Sequence, residues 1–398
     1  MFSDSNLPFI VAAKRTPIGS FQGTLSGFKS YELGSFALKG LGLAHHTIDE
    51  VIMGCVLQAG QGQAPARQAS KLAGIADSVP CTTVNKVCGS GMRSLFMACD
   101  QIRLNQANLI FAGGMESMSQ APYLLDRARN GYKVGHGVII DHLYRDGLED
   151  PYHRNEDGNY RLMGAFAEDT ADRYNFHRSQ QDQYAFETLE SYQKAQTQNA
   201  FQAEIIPLDI TDFKGNLTVI TQDEPPTRVK PEKFATLKPA FRANGTVTAA
   251  TSSSLSDGAA ALALASPPYV REQKLTPLAR VMGYTTFAQQ PEHFTTAPVG
   301  AIRKLCQQIG WSLDQVDLFE INEAFALVPM AVMNDLSIPR QKINIHGGAC
   351  VLGHPIGASG ARIVVTLVHA LVQHQLKRGI ATLCIGGGEA TAMAIEVL

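Results

Sequence analysis

The sequence predicts an α/β fold made of two similar halves with an inserted domain between them. In residues 8–116, short apolar runs alternate with stretches of helical periodicity, which is the pattern of a largely parallel sheet covered by helices. From Cys88 to Glu116 the chain passes through a turn, a helix, a strand, paired glycines and a glutamate, and the same order returns from His354 to Glu389. We therefore expect the glycine-rich turns of the two halves to meet at one site.

The first half is predicted to begin with a strand and then to alternate between helices and strands. After Cys88, apolar side chains recur at helical spacing as far as Ile102, so a helix is expected to begin at Gly89 or Ser90. The predicted strands are residues 8–13, 51–57, 81–84 and 109–112, and the predicted helices are residues 31–43, a helix ending at 73, and the helix after Cys88.

The middle of the chain has a different character. Residues 119–244 are rich in charged, aromatic and turn residues, and helices are predicted at 166–174 and 179–197. Because a segment of this length is rarely one structureless loop, it is expected to carry its own elements. Small and apolar residues return at 245–265, which are predicted as a strand, a serine run and a helix at 257–264.

The last third repeats the outline of the first. The predicted elements are a strand at 279–284, a helix at 300–309, a strand at 318–321, a turn at 347–360, a helix at 361–371 and a strand at 381–385. The domains predicted from these boundaries are an N-terminal half of residues 1–118 and 245–270, a loop domain of residues 119–244, and a C-terminal half of residues 271–398.

Composition excludes several classes of protein. The 398 residues are 45% hydrophobic and 18% charged, which is typical of a globular protein. The formal net charge of −2 and the lack of a long Lys or Arg run give no basis for nucleic-acid or membrane-surface partners. Seven scattered cysteines do not make a disulfide framework, and no run of eighteen apolar residues occurs. The sequence thus favours a reduced, cytoplasmic setting.

Cys88 is the first candidate catalytic residue. It lies where an apolar run ends and a helix begins, and unpaired N–H groups at a helix N-terminus stabilise a thiolate. The thiolate is the form that attacks carbonyl carbons. The alternative interpretation is that Cys88 is a small apolar residue filling a tight turn, as free cysteines often are.

The second half supplies further chemistry. Asn322 follows a strand end, His354 lies in a glycine-rich turn, and Cys384 comes just before Gly386, where flexible backbone can direct N–H groups at an oxyanion. A Cys–His pair with a second acid–base group is what reversible acyl transfer through a thioester requires.

These motifs together resemble the thiolase family, and most of all its short-chain acetyl-CoA acetyltransferase members. The resemblance covers essentially the whole chain, and its motifs stand in the family's order. They are residues 84–92 (VNKVCGSGM), 112–118 (AGGMESM), 245–249 (GTVTA), 322–326 (NEAFA), 353–362 (GHPIGASGAR) and 384–388 (CIGGG).

The resemblance implies a fold of layered α-β-α-β-α architecture and a ping-pong reaction. Two acetyl-CoA would give acetoacetyl-CoA and CoA, or the reverse thiolysis would occur, through an acyl group on Cys88. His354 would take the proton of Cys88, and Cys384 would move the α-proton of the second substrate. A water on Asn322 would form one oxyanion hole with His354, and the N–H groups of Cys88 and Gly386 would form the other.

The resemblance also implies how coenzyme A is held. No organic cofactor is expected beyond the substrates, which are acetyl-CoA, CoA and 3-oxoacyl-CoA. The loop domain would cover the ligand and help a homo-oligomer, a dimer or tetramer, to form. The residues implied at the ligand are Ser253 and Ala249 at the pantetheine, Ala324 and Phe325 near the acyl group, Met163 from the loop domain, and Arg228 near the nucleotide phosphates.

Two departures from the family pattern leave the acyl preference open. Leu162 stands where many short-chain members have a histidine, and His346 adds an imidazole near the predicted site. A thiolase for longer or dicarboxylic 3-oxoacyl-CoA therefore stays an alternative. A ketoacyl-carrier-protein synthase would have histidine in place of Cys384, and a non-catalytic lipid carrier would lack one of the two cysteines.

No metal site is expected. His346, Cys350 and His354 are spaced as ligands on one helix face would be, but Pro355 and the neighbouring glycines oppose a continuous helix.

Overall fold

The computed structural model describes residues 6–211 and 215–398. The helices are α1 (Ser30–Gly40), α2 (Pro65–Leu72), α3 (Ser90–Arg103), α4 (Met163–Tyr174), α5 (Arg178–Thr197), α6 (Pro267–Glu272), α7 (Ala297–Ile309), α8 (Leu327–Leu336), α9 (Ala349–Leu352) and α10 (Ile356–Gln373). The strands are β1 (Phe9–Arg15), β2 (Gly19–Ser20), β3 (Glu50–Gly54), β4 (Cys81–Val84), β5 (Leu109–Ser117), β6 (Tyr123–Leu124), β7 (Ile140–Asp141), β8 (Glu149–Arg154), β9 (Tyr160–Leu162), β10 (Leu208–Thr211), β11 (Leu217–Ile220), β12 (Ser256–Ala265), β13 (Ala279–Ala288), β14 (Leu318–Ile321), β15 (Arg378–Ile385) and β16 (Glu389–Val397).

Strands from both halves form one mixed ten-stranded sheet. Its order is β14-β15-β16-β13-β1-β12-β5-β3-β4, with β2 paired to β12. Pairing is parallel only between β14 and β15 and among β3, β4 and β5, while the strands in between pair antiparallel. The prediction of a largely parallel sheet is therefore wrong. The antiparallel strands β12 and β16 were not predicted as strands from the sequence, so the antiparallel pairs that they form were not expected.

Strand β12 replaces the helix predicted at residues 257–264. Its alanines and leucines have high helix propensity, but every residue from Ser256 to Ala265 is buried, and the strand pairs with β1 on one side and β5 on the other. A strand covered on both faces appears in a sequence as a continuous apolar run, without the alternation that marks a half-exposed strand. Tertiary pairing thus overrides local propensity here.

Alternate residues of the strands face different helix layers. In β12, Ala260 and Leu262 join the core around α3 and α10, whereas Ala259 and Ala261 join the core around α1 and α2. In β16, Ile395 faces the same central core, and Ala394 packs with residues of α7 and α8. Helices α3 and α10 therefore form a central layer between two sheet regions, which gives the α-β-α-β-α order that the family resemblance implied.

The two central helices touch through glycines at their N-terminal turns. A Cβ atom on Gly91 of α3 would lie 2.9 Å from both Ala361 N and Gly357 O of α10, and one on Gly360 would lie 2.5 Å from Met92 N. Only glycine permits this approach. The crossing places the turns that precede α3 and α10 side by side.

Helix α10 is long and apolar enough to span a membrane by length and composition alone. However, 89% of that stretch is buried inside the fold. It is the central core helix of the structure.

The segment between β5 and β12 contains α4, α5 and small two-stranded ribbons. A buried ion-pair cluster connects this segment to the core. Arg15 Nε of β1 lies 2.6 Å from Glu204 Oε1, and Arg15 Nη1 lies 2.6 Å from Asp223 Oδ1. Removing one partner of such a cluster would leave an unpaired buried charge. The domain boundaries given above stay a prediction.

Candidate active site

Cys88 lies in a strained turn between β4 and α3. The preceding residue, Val87, has φ +48°, a left-handed conformation that is unusual for a β-branched residue. Val87 N donates to Asn85 Oδ1 at 2.9 Å, and Ser90 Oγ donates to Val87 O at 2.6 Å, so the turn is held by its own side chains. Strain of this kind is found at functional sites where the surrounding structure fixes it. The predicted placement of Cys88 immediately before a helix is confirmed.

The electrostatic state of Cys88 differs from the expectation. Although the residue is only partly buried, burial of the thiol raises the pKa of Cys88 to about 11, while hydrogen bonds from Gly386 N–H and from its own N–H lower that pKa. The expectation of a thiolate in the free site is therefore wrong, because desolvation outweighs the helix terminus. The oxyanion hole expected from these two N–H groups stays a prediction.

His354 presents an unpaired ring nitrogen. Its Nδ1 lies 2.5 Å from Ser359 Oγ, and Ser359 Oγ donates its single proton to Pro355 O at 3.0 Å. Nδ1 must then carry a proton and donate it to Ser359, which leaves the lone pair on Nε2. Within the described residues, that Nε2 atom has no hydrogen-bond partner. Burial, followed by the charge of Arg362, lowers the pKa of His354 to about 3, so the imidazole is neutral.

Asn322 and Cys384 lie at the ends of neighbouring strands. Asn322 N donates to Thr382 O at 3.0 Å, and Arg362 Nη2 donates to Asn322 Oδ1 at 3.4 Å. The Nδ2 group of Asn322 is buried and finds no acceptor in the described part of the chain. Burial and then the charge of Cys88 raise the pKa of Cys384.

A cavity of about 280 Å³ brings most of the predicted residues together. Its lining also contains apolar side chains that the sequence did not mark, among them Leu148 and Phe294, and it contains Leu162. The predicted residues in the lining are Cys88, His354, Cys384, Gly386, Met163, Ser253, Ala324 and Phe325. Asn322 is fully buried and is not part of the lining.

Ala249 and Arg228 lie in a second cavity of about 510 Å³. This cavity shares Ser254 and Leu255 with the first, so the two adjoin. Arg228 forms an ion pair with Glu224 and is 56% exposed. The lining also includes Lys230 and Lys233, which the sequence analysis missed. The signal was available, because these lysines follow Arg228 closely in the sequence.

His346 is not part of the catalytic cavity. It lines a separate cavity of about 650 Å³, where its Nε2 lies 3.1 Å from His374 Nε2. Burial lowers the pKa of His346 to about 4. The expectation that His346 adds an imidazole near the site is therefore wrong. In residues 6–211 and 215–398, no group of three or more His, Cys, Asp or Glu side chains is placed to hold a metal ion.

Two family models match this chain. Residues 8–267 match the family model described as thiolase, N-terminal domain, and residues 275–397 match thiolase, C-terminal domain. The chain is 45% identical over 393 residues to a probable acetyl-CoA acetyltransferase of Dictyostelium discoideum, and the match covers 98% of this chain and 94% of that relative.

Solved structures share the fold from end to end. A thiolase from Ascaris suum in complex with coenzyme A has a TM-score of 0.91 at 40% identity, covering 98% of this chain and 100% of that one. Human mitochondrial 3-ketoacyl-CoA thiolase has a TM-score of 0.93 at 36% identity and covers 100% of both chains. Since the family models together span nearly the whole sequence and the fold is shared throughout, this chain belongs to the thiolase family.

Proposed function

We propose that this thiolase-family acyltransferase reversibly joins two acetyl-CoA into acetoacetyl-CoA and CoA by a ping-pong mechanism. The observation that carries the proposal is the convergence in one cavity of two thiols, Cys88 and Cys384, with the unpaired Nε2 of His354. A nucleophile, a base and a second acid–base group in one cavity are the parts that acyl transfer through a thioester requires.

In the first half-reaction, His354 acts on Cys88. Neutral Nε2 accepts the thiol proton, and the sulfur attacks the thioester carbon of acetyl-CoA. CoA leaves with the proton of the Cys384 thiol, so that Cys384 becomes a thiolate and Nε2 of His354 keeps its proton. The N–H groups of Cys88 and Gly386 bind the acyl oxygen as negative charge develops on it, and support for this role comes from their hydrogen bonds to the Cys88 thiol.

In the second half-reaction, Cys384 removes the α-proton of a second acetyl-CoA. The resulting carbanion attacks the acetyl carbon on Cys88, so that a C–C bond forms and the C–S bond to Cys88 breaks. The Cys88 thiolate then takes back the proton held on Nε2 of His354. The free Nδ2 of Asn322 can hold a water which, with His354 Nε2–H, would bind the enolate oxygen. Support for this role comes from the buried, unpartnered state of Nδ2.

The residues that line the cavity indicate which acyl chains it can accept. Among the described residues no Lys or Arg lines it, so the terminal carboxylate of a dicarboxylic acyl chain would be buried without a cation. This disfavours the dicarboxylic alternative. A longer apolar 3-oxoacyl-CoA stays the second candidate, because Leu148, Leu162 and Phe294 give an apolar wall and one similar structure is a 3-ketoacyl-CoA thiolase.

A lipid carrier without catalysis would not need both thiols, and the cavity contains both. A ketoacyl-carrier-protein synthase would place histidine where Cys384 stands. A homo-oligomeric assembly and a cytoplasmic location stay predictions from the sequence.

The roles of the two cysteines can be tested together. After incubation with acetyl-CoA, intact mass and peptide mapping should find one acetyl group on the Cys88 peptide in the wild type and in Cys384→Ser. In Cys384→Ser, exchange of acetyl-CoA α-protons with deuterated solvent should collapse and turnover should fall ~10²-fold or more, because a hydroxyl is a poor base near neutral pH. Cys88→Ser is the matched variant and should abolish the acyl-enzyme. Acetylation elsewhere would overturn the assignment of the nucleophile.

Acyl length is settled by kinetics. A comparison of kcat/KM for acetoacetyl-CoA with a series of longer straight-chain 3-oxoacyl-CoA should give its highest value for acetoacetyl-CoA. A higher value for a six-carbon or longer substrate would favour the second candidate instead.

A further inference from the structure

Glu116 is a fully buried carboxyl group to which the proposed reaction assigns no role. It lies near the end of β5 and accepts hydrogen bonds from three backbone N–H groups. Oε2 accepts from Val56 N at 3.0 Å and from Gly357 N at 2.9 Å, and Oε1 accepts from Leu57 N at 3.1 Å. The thiol of Cys55 also donates to Oε1 at 3.7 Å.

These contacts join the two halves of the fold beside the catalytic cavity. Val56 and Leu57 follow β3 in the first half, whereas Gly357 is in the first turn of α10, three residues after His354. The fit is close, since a Cβ atom on Gly357 would lie 2.7 Å from Glu116 Oε2. The hydrophobic cluster of Val56, Leu57, Met118, Leu143 and Ile356 packs against Val87 and Cys88. The carboxyl group thus connects two parts of the structure. One is the segment that follows His354, here called the His354 turn, and the other is the hydrophobic cluster that packs against Cys88, here called the Cys88 wall.

No basic side chain compensates this carboxyl group in the described structure. The titratable groups that face it are the thiols of Cys55 and Cys88, and on the paired strand β12 the nearest carboxyl, Asp257, hydrogen-bonds Ser119 instead. On the α10 side, the titratable group closest in sequence to Gly357 is His354, whose imidazole is neutral.

The carboxyl group of Glu116 therefore changes its charge near neutral pH, and that charge affects the pKa of Cys88. Burial raises the pKa of Glu116 to about 7, although its backbone hydrogen bonds oppose the shift. The charge of Glu116 in turn raises the pKa of Cys88, after burial has done so. Both forms of Glu116 are accessible at working pH.

We propose that Glu116 is a positioning residue that holds the His354 turn against the Cys88 wall, and that its charge restrains the reactivity of the Cys88 thiol. The proposal rests on the proposed role of Cys88 as nucleophile. At low pH, neutral Glu116 leaves Cys88 easier to ionise. As pH rises through about 7, Glu116 becomes charged and thiolate formation becomes harder.

The test is the pH dependence of Cys88 alkylation by iodoacetamide, followed by peptide mapping. In the wild type, the logarithm of the rate should rise with a slope below one around pH 7, because the pKa of Cys88 rises as Glu116 ionises. In Glu116→Gln the slope should stay at one. The two proteins should react alike at low pH, and Glu116→Gln should react severalfold faster above pH 8, because it lacks the charge that raises the pKa of Cys88. Identical slopes of one in both proteins would overturn the proposal.

Two further variants separate charge from position. Glu116→Asp keeps the charge on a shorter side chain. Its alkylation profile should therefore keep the slope below one around pH 7, here called the bend, while kcat falls with little change in KM. Asp257→Asn removes a buried carboxyl group from the neighbouring strand and should leave the wild-type bend unchanged. Loss of the bend in Asp257→Asn would contradict the assignment to Glu116.

The wild-type bend tests the proposal even if Glu116→Gln does not fold. Alkylation needs no turnover, so this result is independent of the proposed reaction. If acetyl-CoA fails to acetylate Cys88 while the bend is present, the proposed function fails and the electrostatic role of Glu116 stands.

Discussion

Cys88 and His354 both rest in the uncharged form, and the same physical cause acts on each. Burial disfavours the thiolate of Cys88 and the imidazolium of His354, so the pair is a thiol beside a neutral base and not a preformed ion pair. In the proposed reaction, ionisation of Cys88 is therefore expected to follow the binding of the thioester.

The lowered pKa of His354 predicts the acid side of the pH profile. An ordinary histidine, with a pKa of 6.5, is half protonated at pH 6.5. His354 has a pKa of about 3, so it stays an available base from about pH 5 to about 8. The rate of Cys88 acetylation in a single turnover should therefore show no loss centred near pH 6.5. Rapid-quench mass spectrometry measures this rate, and a clear acidic limb near pH 6.5 would show that His354 titrates normally.

The same shift has a consequence for stability with a definite sign. Between its folded and unfolded pKa values, His354 binds a proton only in the unfolded chain. The free energy of unfolding therefore falls as pH drops below 6.5. Glu116 acts in the opposite direction, because its raised pKa makes the folded state hold a proton that the unfolded chain has lost, so stability falls as pH rises from 4.5 to about 7.

At the scale of elements, the crossing of α3 and α10 decides where the proposed catalytic residues lie. Each helix begins just after one of them, Cys88 or His354, and the glycines at the crossing let the two N-terminal turns touch. The motif glycines thus act through close helix packing as well as through turns.

A methyl group at this crossing should disturb both stability and activity. In Gly360→Ala the new Cβ atom would lie 2.5 Å from Met92 N, so a helix must shift. We expect a loss of ~1–3 kcal/mol in stability, as for other overpacked cores, together with slower acetylation of Cys88. Thermal unfolding and the acetylation rate measure the two effects.

Gly27→Ala is the matched control. A Cβ atom at Gly27 meets no atom within 4 Å and that backbone is not left-handed, so both measurements should stay near wild type. A Gly360→Ala protein that behaves like this control would show that the helix crossing tolerates a methyl group.

At the scale of the whole molecule, the two halves make one site because the sheet and the central helix layer are continuous across them. Strand β1 pairs with β12 of the first half and with β13 of the second. The ion pair of Lys86 with Glu389 and the carboxyl contacts of Glu116 add further links beside the cavity. Lys86 and Glu389 are partly exposed, so the worth of that pair is small, ~0–1 kcal/mol.

Much of the local structure was predictable from the sequence, because periodicity and turn residues act over short distances. The start of α3 after Cys88, the strand before Asn322 and the helix ending at Ile309 are all present. The observed start of a helix differs from the predicted start where no capping side chain marks it. Helix α10, for example, begins at Ile356 and not at the expected residue 361. The site motifs were recognisable because each is a short, continuous stretch of the sequence.

The sequence by itself predicted which residues carry the chemistry and determined the order of most elements, since both depend on residue type and local spacing. Only the tertiary structure decided that residues 256–265 form a strand, that His346 lies in another cavity, that Cys88 keeps its proton, and that Glu116 joins the two halves. These properties depend on burial and on contacts between residues far apart in the chain. Neither hydrophobic period nor motif spacing contains that information.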